Sequence, residues 1–382
     1  MRHGLLLPCL LFMAFVFVWP ILSLLAKGIY SPEVRDTLPQ TAAAVLVWDG
    51  SNDPPDAVYD ALVADLRIAD RRDIANAGRR LSYEIPSYRS LLIKTASALQ
   101  KSSTQPPRQQ LAAIDAKWQD RTFWTAMRRA APAITPYYIL KALDLEQKDG
   151  GGIGRVAPQE AIFLDVLGRS LWISAVVTAI CLVLAFPVAF RVAAASPRWR
   201  GLLLLLVLLP FWTSLLVPAH LIFNRIGVYI AFVHVMLPFM ILPIYSVMVG
   251  ISKDYTRAAY SLGASGPRTF YRVYLPLVWP GIWSGCLLTY VIVVGYYITS
   301  LLVGGSQDQM LSYFIAFYTK QTVNWGLASA LAILLTTCVL VLVGLYGLLG
   351  RKTQIVVKAG ARCPVRRRTS RRPTSGACWQ AQ

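Results

Sequence analysis

The chain has 382 residues, is 55% hydrophobic, has a mean hydropathy of +0.49 and carries a formal net charge of +19. That composition places it among membrane proteins rather than ordinary soluble domains. The charge is uneven: residues 1–165 hold 19 Lys/Arg against 17 Asp/Glu, while residues 166–382 hold 19 Lys/Arg against only Asp254 and Asp308.

A spanning helix needs about 20 mostly apolar residues. Six such runs occur, at about 5–26, 168–190, 201–222, 226–250, 278–303 and 326–349. The fold class expected is an all-α polytopic membrane protein with six transmembrane helices and a large helical extracytoplasmic insertion after the first. The first run exceeds a signal-peptide h-region of about 7–15 residues and lacks a small-x-small cleavage site, so residues 1–27 read as a retained transmembrane helix, with a signal peptide as the alternative that the short basic start Met1-Arg2-His3 leaves open.

Residues 28–165 form the insertion. The stretches 57–81 and 108–132 have helical periodicity, and Pro54-Pro55, Pro86 and Pro106-Pro107 punctuate it. It holds no cysteine and no Walker lysine loop, G-x-S-x-G or histidine pair. It serves either as packing on the outer face or as a contact surface for a soluble partner.

The later runs carry scattered polar groups. Ser174, Thr178, Thr213 and Ser214 read as helix–helix contacts, with Trp212, Thr213 and Ser214 as candidates for a solute path. Pro187, Pro210, Pro238 and Pro243 lie inside spans, which a bilayer tolerates when neighbours satisfy the freed carbonyls. His234 is a lone intramembrane imidazole, read as packed core. Tyr290, Tyr296 and Tyr297 suit a cationic or sugar-like solute, ordinary packing or an interfacial belt. Gly344, Gly347 and Gly350 would permit close helix approach. His3, His220 and His234 make no metal set, and no cofactor is expected.

Short loops orient the chain. With the N-terminus inside, the segments 191–200, 251–276 and 351–382 are also inside and hold sixteen Lys/Arg, against Arg169, Arg225 and Lys320 outside. This places both termini in the cytoplasm. The same excess calls for membrane lipid rather than nucleic acid as its anionic partner. The tail 351–382 is basic and Pro/Ser-rich, and is expected to be disordered and cytoplasmic.

Between the fourth and fifth runs lies DYTRAAYSLGASGPRTFYRVYLPLVWPGI (254–282). Tyr255, Ala258, Ala259 and Leu262 recur at helical spacing, giving a short helix one small, apolar face. Asp254 would cap its start and Gly263 would end it or admit another backbone. Ser265-Gly266-Pro267 reads as a turn, and Leu275-Pro276 as a break before the next span.

This spacing resembles the cytoplasmic "EAA" loop of ATP-binding cassette (ABC) importer permeases: E-A-A, three residues, Gly, nine residues, an apolar residue, one more, then Leu-Pro. Ala258, Ala259, Gly263, Val273, Leu275 and Pro276 fall in register, with Arg257 where the glutamate would stand. Together with LLPFWTSLLV (208–217), LIFNRIGVYIAFVHVMLPFMILPIYSVM (221–248) and VVGYYITSLLVGG (293–305), it makes most of 166–350 similar to the polyamine-type, PotB-like spermidine/putrescine permeases.

The resemblance implies a non-catalytic permease subunit in a bacterial inner membrane, with a permease core at 166–350 and a coupling loop at 251–276. Its implied partners are a second permease subunit, a cytoplasmic ABC ATPase dimer that binds the ATP, and an extracytoplasmic solute-binding protein. Arg257, Ala258, Ala259, Gly263, Leu275 and Pro276 would form the ATPase-coupling loop. Two departures stand out: Pro218-Ala219-His220 joins two spans where the family has a longer connection, and the basic tail is unlike the family's ending. The first leaves open a transport-defective variant. A membrane-anchored sensor or assembly protein using residues 28–165 is the other alternative. A secondary transporter fits poorly, because no carboxylate lies in any later span to carry a coupling ion.

Overall fold

The computed structural model describes residues 6–100, 105–147, 152–212 and 224–360. The first helix, α1 (residues 6–26), contains a π-helical turn at Ala14–Val18. Pro20 follows two residues after that turn. Proline lacks an N–H and its ring crowds the carbonyl four residues back, so a widened turn before it lets the helix continue.

Eight short helices follow: α2 (Glu33–Thr37), α3 (Pro39–Val47), α4 (Asp56–Ile68), α5 (Arg71–Ser82), α6 (Tyr88–Leu99), α7 (Pro107–Ile114), α8 (Arg121–Ala130) and α9 (Tyr137–Ala142). Both predicted helical stretches are divided: 57–81 at Ala69-Asp70, and 108–132 by a 3₁₀ turn at Ala116–Gln119. Helices α2–α8 enclose one core around Leu62, Leu92, Trp118 and Trp124. Its polar groups are paired: Trp118 Nε1 donates to Thr95 Oγ1 (2.9 Å), Trp124 Nε1 to the Trp118 carbonyl (2.9 Å), and Tyr88 to the Phe123 carbonyl (2.8 Å). The buried Asp65 carboxylate accepts from the Thr41 N–H and hydroxyl, both at 2.7 Å, capping the first turn of α3 from another helix.

A two-stranded antiparallel ribbon, β1 (Leu145–Gln147) and β2 (Ile153–Arg155), pairs Glu146 with Gly154. The all-α expectation is corrected by this one element. Asp144, just before β1, has a positive φ of 55° and accepts from the Phe163 and Leu164 N–H groups (3.0 and 2.7 Å). It thereby caps α10 (Phe163–Ala194), which begins inside the segment expected to be wholly insertion.

The rest is a bundle: α11 (Pro197–Trp212), α12 (Arg225–Gly250), α13 (Lys253–Ser261), α14 (Gly266–Gly295), α15 (Ile298–Val303), α16 (Leu311–Lys320) and α17 (Trp325–Gly360). Among the described residues four helices are long and apolar enough to cross a membrane: α10, α12, α14 and the 325–348 part of α17; the 11–26 part of α1 is a shorter apolar helix. Val183 (72% exposed) and Leu205 (63%) are left uncovered among the described residues, as lipid-facing side chains require. The protein is a helical polytopic membrane protein.

Several expectations are corrected. The run 278–303 is not one span: α14 starts at Gly266, inside the expected coupling loop, and ends at Gly295, where Tyr296 turns extended (ψ 102°) before the short α15. Leu275-Pro276 does not break the chain. A π turn at Phe270–Tyr274 precedes it, the device already seen in α1, and the helix runs through. Pro187, Pro238 and Pro243 also lie inside unbroken helices. Ser174 and Thr178 are buried in the bundle, and each hydroxyl donates to the carbonyl four residues back (2.8 and 2.7 Å) rather than to a neighbouring helix. A Cβ on Gly344 or Gly347 would meet open space; close approach occurs instead at Gly281 and Gly285, where a Cβ would lie 3.1 Å from the Pro243 and Met240 carbonyls of α12. The helix α17 continues to Gly360, into the expected tail. Residues 361–382 and the 218–220 connection lie outside the described residues.

Candidate functional site: the segment 252–276

Helix α13 crosses from α12 to α14 and packs against the π turn Phe270–Tyr274. Its N-cap is Ser252, whose hydroxyl accepts from the Asp254 N–H (3.2 Å) and donates to the Asp254 carboxylate (2.8 Å). Asp254 therefore sits in the first turn and is not the cap. There its charge still favours the helix N-terminus.

The C-terminus closes as a Schellman motif. The Ala264 N–H donates to the Ala259 carbonyl (3.1 Å) and the Gly263 N–H to the Tyr260 carbonyl (2.9 Å). Gly263 has φ +80°, and a Cβ there would meet nothing within 4 Å. The glycine is needed for its backbone hand, not for space on the side of this chain.

The small face expected of α13 is split. Ala259 is buried against the chain's own body. Tyr255 (55% exposed), Ala258 and Leu262 (88% exposed) point outward, and the Arg257 side chain is 76% exposed beside Asp254 at 3.7 Å. An exposed pair of that kind adds little stability. The result is a rigidly capped helix with an uncovered apolar ridge. Leu275 is half-buried and Pro276 exposed within α14, so they continue the segment into the bundle rather than into the ridge.

The tyrosines expected together are dispersed. Tyr290 packs beside Leu171 and Phe314, its hydroxyl 3.4 Å from the Leu171 carbonyl. Tyr296 packs edge-on against Phe232 in a second cluster, with ring centroids 6.3 Å apart. Tyr297 already holds a cation: Lys320 Nζ donates to its hydroxyl at 3.0 Å. The α11 helix ends at Trp212; its side chain, with Thr213 and Ser214, lies outside the described set.

Two polar sites escaped the sequence reading. At the far end of the bundle from α13, Arg225 Nε donates to the buried Asp308 carboxylate (2.7 Å), and Arg169 donates to the Gln307 and Gln309 carbonyls (2.5 and 2.9 Å). The loop after α15 is thus clamped to the starts of α10 and α12. A lone aspartate in a stretch nearly free of acids was the available signal. The second is a cavity of about 420 Å³ between the segment 33–147 and the bundle, lined in part by Glu84, Arg129, Tyr137, Lys141, Phe163 and Tyr318. Glu84 lies 3.2 Å from Arg129 and 3.6 Å from Arg80, yet burial outweighs both guanidinium groups and holds its carboxyl above the usual range. Arg80 is buried over the Tyr137 and Tyr138 rings, at 4.6 and 5.1 Å.

Residues 161–355 match the family described as "Binding-protein-dependent transport system inner membrane component". The spermidine/putrescine transport system permease protein PotB of Haemophilus influenzae is 33% identical over 225 residues, covering 51% of this chain and 79% of the relative. PotB of Escherichia coli is 31% identical over 204 residues (46% and 74%), and the E. coli inner membrane ABC transporter permease protein YdcU 27% over 218 residues (46% and 68%). The matched region spans α10 to α17 and includes the ridge of α13; the chain therefore belongs to the inner membrane components of binding-protein-dependent transport systems, the permeases of ABC importers.

Proposed function

We propose that this chain is one permease subunit of an ABC importer, that it pairs with a second permease subunit around a pathway for a small cationic, polyamine-like solute, and that a separate cytoplasmic ATPase dimer drives it through α13. The observation that carries the reading is the exposed ridge Tyr255, Ala258 and Leu262 on a helix locked by Ser252 and Gly263. A lever must be stiff, must project, and must offer apolar surface that its own chain leaves uncovered. In this reading six spans cross the membrane with both termini inside, and residues 28–165 stand outside, where they meet the solute-binding protein. Arg257, Ala258, Gly263 and the Leu275-Pro276 step belong to the coupling segment, with Ala259 anchoring it. ATP-driven closure of the partner moves α13, and the bundle rocks between inward-open and outward-open states.

The cationic solute rests on the spermidine/putrescine relatives, at 33% and 31% identity. Trp212, Thr213, Ser214, Tyr290, Tyr296 and Tyr297 remain the pathway candidates. Since the three tyrosines do not converge within this chain, a cage for the solute would need groups from the second subunit. The deciding experiment replaces Gly263 by Asp in the assembled importer. The variant should insert normally but lose uptake and solute-stimulated ATP hydrolysis. Normal coupling in an inserted G263D protein would sink the docking claim.

A further inference from the structure

A second cavity, of about 390 Å³, lies on the body side of α13, where α10 and α12 end and α14 begins. Its walls are of two kinds. Phe190, Met248 and Phe270 form an apolar part, while Arg200, Lys253 and Thr269 supply polar groups; among the described residues no carboxylate lines it.

Two of the polar groups are unsatisfied. Thr269 is 2% exposed, and its hydroxyl has no hydrogen-bond partner among the described residues. Arg200 donates through Nη2 to the Ala193 and Ala195 carbonyls, both at 3.2 Å, which holds its guanidinium against the end of α10. Its Nε is buried and also has no partner among the described residues. A buried donor left unpaired costs about 1–3 kcal/mol, so such groups normally face a ligand or water. In addition, α14 opens here with Ser265 at its N-cap and no side chain capping it, and its first residue, Gly266, lines the cavity. A helix start offers free N–H groups and partial positive charge.

We propose that this cavity binds a phosphate group, supplied by the headgroup of an anionic phospholipid. Two cations, an orphan hydroxyl and a helix start converge without an opposing acid, which selects an anion. The apolar wall and the position at the ends of three long helices select one that carries acyl chains over inorganic phosphate. Lys253, Thr256 and Tyr260 of α13 line the same cavity, so the occupant would brace the coupling helix from behind. That last consequence rests on the importer reading; the binding does not.

The test uses the full chain, delipidated in detergent and then placed in nanodiscs of phosphatidylcholine alone or with phosphatidylglycerol. Retained lipid is read by native mass spectrometry and the thermal midpoint alongside it. Wild type should retain phosphatidylglycerol preferentially and melt several degrees higher with it. Arg200→Gln should weaken retention by about tenfold, the loss of one charge-assisted contact. Because Arg200 also secures the end of α10, Thr269→Val is the second probe: it keeps shape, loses the hydroxyl and should lose the preference, with Thr269→Ser restoring it. Equal retention of both lipids, or no change in either variant, overturns the proposal. Adding inorganic phosphate to the delipidated protein separates the sources: stabilisation by phosphate with no lipid preference overturns the lipid assignment. Lost lipid preference with intact uptake refutes this site's bracing role alone, whereas normal G263D coupling refutes the docking claim and leaves lipid retention untouched.

Discussion

The helices α2–α8, packed outside the bundle, and the bundle α10–α17 hold together by different means. The α2–α8 unit has an aqueous-type core, with Trp118, Trp124 and Tyr88 packed edge-on or tilted among leucines and each ring's polar atom paired across elements. In the bundle several hydroxyls turn back onto their own helix, as Ser174 and Thr178 do, and α12 and α14 come together at Gly281 and Gly285. Water drives the first arrangement, since burying apolar area is favourable there. Lipid tails give helices no such reward for association, so close backbone contact takes its place. One chain therefore carries two kinds of stability, and its halves should fail separately.

Trp124→Ala is the strongest way to break that comparison. It empties a large buried site and leaves the Trp118 carbonyl unpaired, a cost of about 3–5 kcal/mol. Limited proteolysis should cut within 33–131 while the bundle stays intact in detergent. Loss of both together would show one cooperative unit. The converse change, Gly285→Val, forces side-chain atoms against the Met240 carbonyl and should cost about 1–3 kcal/mol. Protease sites should then open in the bundle with the α2–α8 unit unaffected, and Gly344→Val, in open space, should do neither.

Gly326→Ala tests the seam between the two regions. A Cβ there would lie 2.3 Å from the Tyr138 ring, so α9 must shift off the start of α17. Tyr138→Ala should relieve the clash, and a double-mutant cycle on thermal stability should show coupling of about 1 kcal/mol or more. The smallest effect concerns Glu84. Its folded carboxyl lies above the ordinary value of 4.5, so its native form favours the proton. The stability this contributes is fully present below 4.5 and is lost as pH rises through the raised folded value. A melting series over that window should slope downward in wild type and flatten in Glu84→Gln.

Much of the membrane half was legible in the sequence because its signals are local. Run length and hydropathy located α12 to within a residue, and the spacing of Tyr255, Ala258, Ala259 and Leu262 marked the short helix α13. Gly263 could be expected at a helix end because a left-handed cap needs no tertiary partner. Groups distant in the chain were decided by the tertiary structure alone. It turned Ala259 inward and Ala258 outward, since the two differ only in which side of α13 meets the π turn. It sent Tyr290, Tyr296 and Tyr297 to three different surroundings, because the break at Tyr296 redirects the chain into α15. It also drew Arg169, Arg225 and Asp308 into one clamp across more than a hundred residues, a pairing that charge makes favourable but only packing makes possible.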